Sequence, residues 1–220
     1  MVGDLLRLED KAVAVTDFAS ERIEELVPDE AAFAAAAASL PEWRRRRCEA
    51  LRFASGRRQS VAAWLLLARL VAARGLVAED LPVVENEFGK PDFAPSVGLR
   101  FSLSHAKERV MAALADGPVG CDVERIAPIR PGVPEECLSP DELATLAAAS
   151  PADRPRVFTR LWTRKEALGK MLGLGLGEDP RRLRVLDGDF ASGRRVTDLE
   201  FGDGFLGAVC TEAPGEEAAS

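Results

Sequence analysis

The stretch "GPVGCDVERIAP", residues 117–128, sets the end of an apolar strand directly against two acids. Val119, Gly120 and Cys121 suit an extended strand, and Asp122-Val123-Glu124 follow at once. Residues i and i+2 of a strand face the same way, so Asp122 and Glu124 stand side by side. Two carboxylates so placed repel, and either is costly to bury without a partner. A solvated strand end would avoid the problem. Otherwise they need a shared cation, and removal of either acid should relieve the repulsion. A hard cation such as Mg2+ suits them, because it takes a few carboxylates together with water and substrate phosphates.

Working outward, Asp116-Gly117-Pro118 is a turn, and elements lie on both sides of it. Upstream, "AVAVTDF" (residues 12–18) reads as a short strand, and Pro41 suits the first turn of a helix through "PEWRRRRCEALRFA". "RRQSVAAWLLLARLVAARG" is apolar nearly all round from Val61 to Ala72, which predicts a central buried helix capped at Gly75. Gly89 and Pro91 in "EFGKPDF" interrupt regular structure, and "VGLRFSLSH" and "RVMAALAD" read as two strands joined through His105-Ala106-Lys107-Glu108. Downstream, Ser139 and Glu142 of "SPDELATLAAA" form a capping-box pattern. A long helix is expected from about Asp153 to Leu172, with two or three closing strands ending in "FLGAVC". The element order predicts an α+β fold of two halves, residues 1–117 and 118–212, with 213–220 a disordered tail.

Composition narrows the function. With 47% hydrophobic and 30% charged residues, the 220-residue chain is expected to be soluble and globular. A net charge of −7 speaks against general nucleic-acid binding, which needs a basic footprint. The longest apolar run, Val61–Ala68, is far short of the ~20 residues that cross a bilayer. Acids near the N-terminus do not fit a signal peptide. The four scattered cysteines have no C-x-x-C pair and read as reduced, in a cytoplasmic protein.

Several residues could complete a phosphate-handling site. In "RVFTRLWTRKEALGKMLG", Val157, Leu161, Leu168 and Leu172 form an apolar stripe, while Glu166 lies on another face with Trp162 and Lys170 one turn to either side. Glu166 and Lys170 could be a surface ion pair, but a large apolar Trp162 on that face suggests that it lies against something. His105, the only histidine, ends a strand beside Ser104 at the mouth of a turn, and Lys90 sits on the rigid "GKP" turn. Residues 43–58 hold seven arginines against one acid, and the guanidinium fork suits phosphate. "GLGLGEDP" follows a helix and not a strand, so it fails as a dinucleotide loop. Ser102 and Ser104 lack a G-x-S-x-G elbow, which sets aside a hydrolase. Three acids and several cations suit phosphoryl-type transfer.

These segments together resemble the 4'-phosphopantetheinyl transferases, of the type that activates surfactin synthetase. The likeness runs through "LPEWRRRRC", "GRRQSVAAWLLLARL", "EFGKPDF", "FSLSHAKERVMAAL", "VGCDVERI", "LSPDEL" and "FTRLWTRKEALGKMLGLGL", in the family's order. Ala106 follows His105 where the family writes serine, and Arg44–Arg47 stand where it usually carries lysine. The resemblance implies transfer of the phosphopantetheine arm from coenzyme A to a serine of an apo acyl- or peptidyl-carrier protein, releasing adenosine 3',5'-bisphosphate. It implies two similar α+β halves with the site between them, in a monomer that engages neither nucleic acid nor membrane. It also implies that Asp122, Glu124 and Glu166 bind Mg2+, with Mn2+ an alternative, and that Glu166 takes the serine proton. Lys170 and His105 then join the catalytic group. Lys90, Ser104, His105 and Lys170 contact coenzyme A phosphates, and Arg58 with one or more of Arg44–Arg47, Arg46 among them, holds the nucleotide and its 3'-phosphate. The rivals are a metal-dependent nuclease or phosphodiesterase, which would need a broad basic groove, and an inactive binding module of the same fold.

Overall fold

The computed structural model describes residues 6–8, 16–174, 178–186 and 193–213. Among them are nine strands, seven α-helices and three short 3-10 turns. The N-terminal sheet has the order β1-β2-β6-β5, all antiparallel, from Leu6–Leu8, Thr16–Arg22, Arg109–Ala115 and Arg100–Ala106. A second sheet has the order β7-β9-β8, from Val119–Arg125, Phe205–Glu212 and Arg194–Phe201. Between the two in sequence, β3 (Val83–Glu85) and β4 (Pro91–Phe93) form a hairpin. The architecture is mixed α+β with three small antiparallel sheets.

Strand alternation builds the layers. In β6, Val110, Ala112 and Leu114 face helix α4 (Ala54–Ala73), while Met111, Ala113 and Ala115 face the other sheet. In β7, Val119, Cys121 and Val123 meet that second face. Helix α7 (Arg154–Met171) covers the far side of the β7-β9-β8 sheet through Leu161, Ala167, Leu168 and Met171, against Ala208 and Cys210. The order through the molecule is helix, sheet, sheet, helix. α4 buries Val61–Trp64, Leu66, Leu67, Leu70 and Val71, as its all-round apolar pattern predicts.

Several boundaries move. The expected strand at 12–18 is found at Thr16–Arg22, and residues 12–15 lie outside the described set. The arginine-rich helix α3 (Glu42–Glu49) is N-capped by Pro41 and stops before Ala50, leaving an exposed link to α4. α4 ends at Ala73, one residue before its cap Arg74, and Gly75 takes the left-handed φ of 75° that closes it. "EFGKPDF" turns the β3–β4 hairpin instead of only breaking structure, with Gly89 at φ 77° and the Asn86 side chain accepting from the Phe88 and Lys90 amides. The Ser139–Glu142 capping box forms on α6 (Pro140–Ala148), and α7 runs within one residue of its expected limits. Of the expected tail 213–220, Ala213 is described and its amide donates to the Gly193 carbonyl at 2.9 Å, while residues 214–220, and residues 175–177 of "GLGLGEDP", lie outside the described residues.

Candidate active site

Gly120, Asp122 and Glu124 share the face of β7 that looks toward α7. A Cβ on Gly120 would lie 1.9 Å from the Ala167 carbonyl oxygen and 2.4 Å from the Met171 amide nitrogen. Only glycine allows helix and strand backbones so close. That contact sets the helix against the acids. Lys170, one turn from Glu166, reaches the Asp122 Oδ1 at 2.6 Å and the Ser104 hydroxyl at 3.1 Å. Ser104 donates to the same Asp122 oxygen at 2.7 Å and accepts from the Val123 amide at 3.3 Å. Ser102 accepts from the Cys121 amide at 3.0 Å. The two serines join edge strand β5 to edge strand β7, a structural duty consistent with setting aside a hydrolase.

The electrostatics are those of crowded acids around a cation. Burial, then Asp122 and Glu166, push the Glu124 carboxyl up to about 7, opposed by Lys170 and by a hydrogen bond from Trp162. Burial, then Asp122, also raise Glu166, with Lys170 opposing. Burial alone would lower Lys170, yet Asp122 and its neighbours hold that ammonium above its ordinary range. The Oδ2 of Asp122 is buried with no hydrogen-bond partner. Lys170 is therefore the cation that the acids share in this structure, and one oxygen remains for another. Among the described residues no three His, Cys, Asp or Glu side chains gather tightly enough to enclose a metal ion. The donor set still fits one: two mutually repelling carboxyls, a third beside them, and an orphaned oxygen, all hard ligands suited to Mg2+.

The supporting cations divide. His105 faces solvent in part, and burial of the rest of its ring, then Lys170 and Arg44, lower its pKa. Lys90 reaches the Val119 carbonyl at 3.4 Å, and its pKa is lowered by burial against the pull of Asp92. Arg46 does not join this group: its side chain is 74% exposed and pairs with Glu42. Arg58 engages the Val27 carbonyl at 3.5 Å and Glu30 at 3.8 Å. Arg44, one turn before Cys48 on the inner side of α3, is the buried member of the run. It donates to the Ser60 carbonyl at 2.9 Å, burial lowers it to about 10, and its Nε has no partner. Helical spacing alone could have separated Arg44 from Arg46, since Arg44 shares the inward face with Cys48. A groove of about 440 Å³ opens beside Glu124 and Trp162, walled by Ile129, Val133, Cys137 and Phe158.

Sequence reasoning also missed a buried ion pair behind the site. Lys165 and Glu142, each 1% exposed, meet at 2.7 Å. Lys165 also donates to the carbonyls of Pro180 at 2.9 Å and Leu183 at 2.6 Å, and Glu142 accepts from the Ser139 and Val185 amides. On the next flank Arg164 holds Asp198 through two bonds of 2.7 Å. The turn of α7 that presents Glu166 is thus clamped on both sides.

Residues 118–211 match the model of the 4'-phosphopantetheinyl transferase superfamily. The chain is 33% identical over 153 residues to the 4'-phosphopantetheinyl transferase AcpT of Escherichia coli (strain K12), covering 66% of this chain and 76% of that one. Against AcpT of Salmonella typhimurium it is 34% identical over 157 residues, 70% of this chain and 78% of the relative. The 4'-phosphopantetheinyl transferase psf-1 of Bacillus pumilus is 32% identical over 135 residues, 60% and 58% of the two chains. The chain belongs to the 4'-phosphopantetheinyl transferase superfamily. Its activity is 4'-phosphopantetheinyl transfer to carrier proteins, which displaces the nuclease reading. In this transferase the family match spans β7 and α7, the elements that carry Asp122, Glu124, Glu166 and Lys170.

Proposed function

We propose that this transferase moves the phosphopantetheine arm of coenzyme A to a serine hydroxyl of an apo acyl- or peptidyl-carrier protein, with Asp122, Glu124 and Glu166 holding Mg2+ or Mn2+. The observation that carries the reading is the Lys170–Asp122–Ser104 knot, in which the Asp122 Oδ2 is left without a partner beside two further carboxyls. Bound there, the divalent cation supplies charge neutralisation to the pyrophosphate oxygens. Lys170, His105 and Lys90 hold phosphate oxygens from the protein side, and Ser104 orients Lys170. Arg44 is better suited than Arg46 to the 3'-phosphate, because its guanidinium is buried with an unpartnered donor. Arg58 supports the nucleotide from the start of α4. The groove at Glu124 and Trp162 takes the neutral, largely apolar pantetheine chain.

The serine oxygen attacks the β-phosphorus of coenzyme A while its proton passes to the Glu166 carboxylate. The bond from that phosphorus to the bridging oxygen breaks, and adenosine 3',5'-bisphosphate leaves. Lys170 opposes the charge that gathers on the leaving group. The two helix-on-sheet layers support a reading as two halves, 1–117 and 118–212, with the site where they meet. Acids from β7, the glutamate and lysine of α7, and the serine and histidine of β5 all come from one chain, so a monomer suffices. Four free cysteines favour the cytoplasm. Among the described residues no helix is long and apolar enough to cross a membrane.

The test is the intact mass of an apo carrier protein after incubation with coenzyme A, Mg2+ and the enzyme. A gain of one phosphopantetheine is expected. Glu166→Gln keeps a ligand oxygen but cannot take the proton, so it should bind coenzyme A within about tenfold of wild type yet lose at least about 10² in single-turnover rate. A rate within a few-fold of wild type would remove Glu166 from the chemistry.

A further inference from the structure

The cations of the arginine run fall into two populations that suit different ligands. Arg44 is buried, whereas residues 50–53, which link α3 to α4, are all exposed. This link carries Leu51 at 38% and Phe53 at 66% exposure, both large apolar side chains with no burial to justify them. Arg52 stacks over the Phe53 ring with 5.3 Å from its guanidinium carbon to the centroid. Arg57 donates to the Leu51 carbonyl at 2.8 Å, which holds the link in shape. Among the described residues neither Arg45 nor Arg52 has an acidic partner, within a chain of net charge −7. A small phosphate ligand is held by converging, sheltered donors. Protruding aromatic and aliphatic groups ringed by free guanidinium instead match a protein surface, where Phe and Arg serve as anchors.

The surface also stands beside the site. Gln59, on the first turns of α4, donates to the Lys107 carbonyl at 2.8 Å, two residues beyond His105. His105 in turn feels the charge of Arg44 beneath the same helix.

We propose that the Leu51–Phe53 link, with Arg45 and Arg52 around it, is the docking surface for the carrier protein, gripping an acidic face that bears an apolar side chain. This rests on the transferase reading above, and supplies the partner's approach: the carrier seats on the N-terminal layer and delivers its serine toward Glu166 on α7. The charge complementarity commits the occupant to an acidic protein, and the apolar centre sets its register.

The experiment measures the Kd of an apo acyl carrier protein with an acidic surface by calorimetry without coenzyme A, and separately the KM of both substrates in transfer. Phe53→Ser and Arg52→Glu should each weaken carrier Kd and raise carrier KM by about ten- to a hundredfold. The KM for coenzyme A should stay within about twofold, which also reports that the variants are folded. Raising salt should weaken carrier binding to wild type more than to Arg52→Glu. Carrier affinity unchanged in both variants, or no carrier binding by wild type, overturns the proposal. So does a KM for coenzyme A that rises as far as that for the carrier, which would assign the link to the nucleotide. Carrier binding lost in the variants, with no transfer by wild type, would leave the docking surface standing and fail the catalytic reading instead.

Discussion

Asp122 and Glu124 look equivalent as neighbouring acids, but their surroundings make them opposites. Asp122 is the acceptor of Lys170 and Ser104, so its removal would relieve the repulsion on Glu124 and Glu166 but also leave two donors without their acceptor. Glu124 carries the unrelieved part, with burial and then Asp122 raising it to about 7. Asp122→Ala strands Lys170 and should destabilise the fold by about 2–3 kcal/mol, discounted because Lys170 can reach solvent. That corresponds to a melting point roughly 4–12 °C lower for a chain of this size. Glu124→Gln, at pH 8 with chelator, removes a carboxylate that the fold disfavours in its charged form. It should melt at or above wild type, by about 1 kcal/mol. Both variants should lose transfer. Paired thermal melts decide it: two variants shifting the same way would mean that Lys170 does not discriminate between the acids.

At the scale of elements, the seating of α7 on β7 is the critical dimension, and it depends on Gly120. The atoms that an added Cβ would meet belong to helix backbone and cannot rotate aside. Gly120→Ala should therefore lift α7 away from Asp122, costing about 1–3 kcal/mol in overpacking. A displacement of about 1 Å in a catalytic group can cost about 10² in rate. The expected result is a variant that remains folded, with kcat down at least about 10². Melting curves and kcat on one preparation would check it, and near-normal kcat would show that Glu166 and Lys170 tolerate the shift. The Lys165–Glu142 pair resists the same motion from the other side of the helix. Its value is in position: a buried ion pair is weak evidence for stability, while loss of one partner leaves the other charge stranded.

Across the whole molecule, α7 brings Glu166 and Lys170, β7 brings Asp122 and Glu124, and the β5 edge brings Ser104 and His105. On the proposed reading, Mg2+ and coenzyme A bind between these layers and should tie them together. With coenzyme A at about 100 times its Kd in the presence of Mg2+, linkage to that ligand alone predicts about 2.7 kcal/mol of added stability. The rise in melting temperature should vanish with chelator and be absent in Asp122→Ala. A rise that persists under either condition would show that coenzyme A binds independently of a metal at Asp122.

Short-range pattern in the chain encodes a good part of this protein. Apolar periodicity marked α4 and α7, Ser139 and Glu142 marked the start of α6, and the spacing of Asp122 and Glu124 put both on one strand face. Motif order carried the family. What it left open depended on distances between segments far apart in the chain. Helical spacing puts Arg44 on the face of Cys48 and Arg46 beside Glu42, but only the packing of α3 against α4 made the first face the buried one. Nothing in the spacing around Lys165 names its partner, which only the approach of α6 supplies in Glu142. Asp122 read as one half of a repelling pair until the tight contact at Gly120 delivered Lys170 to it. Local pattern fixes which face a side chain occupies; its charge partner depends on which backbone approaches that face, and close packing decides that only when the layers assemble.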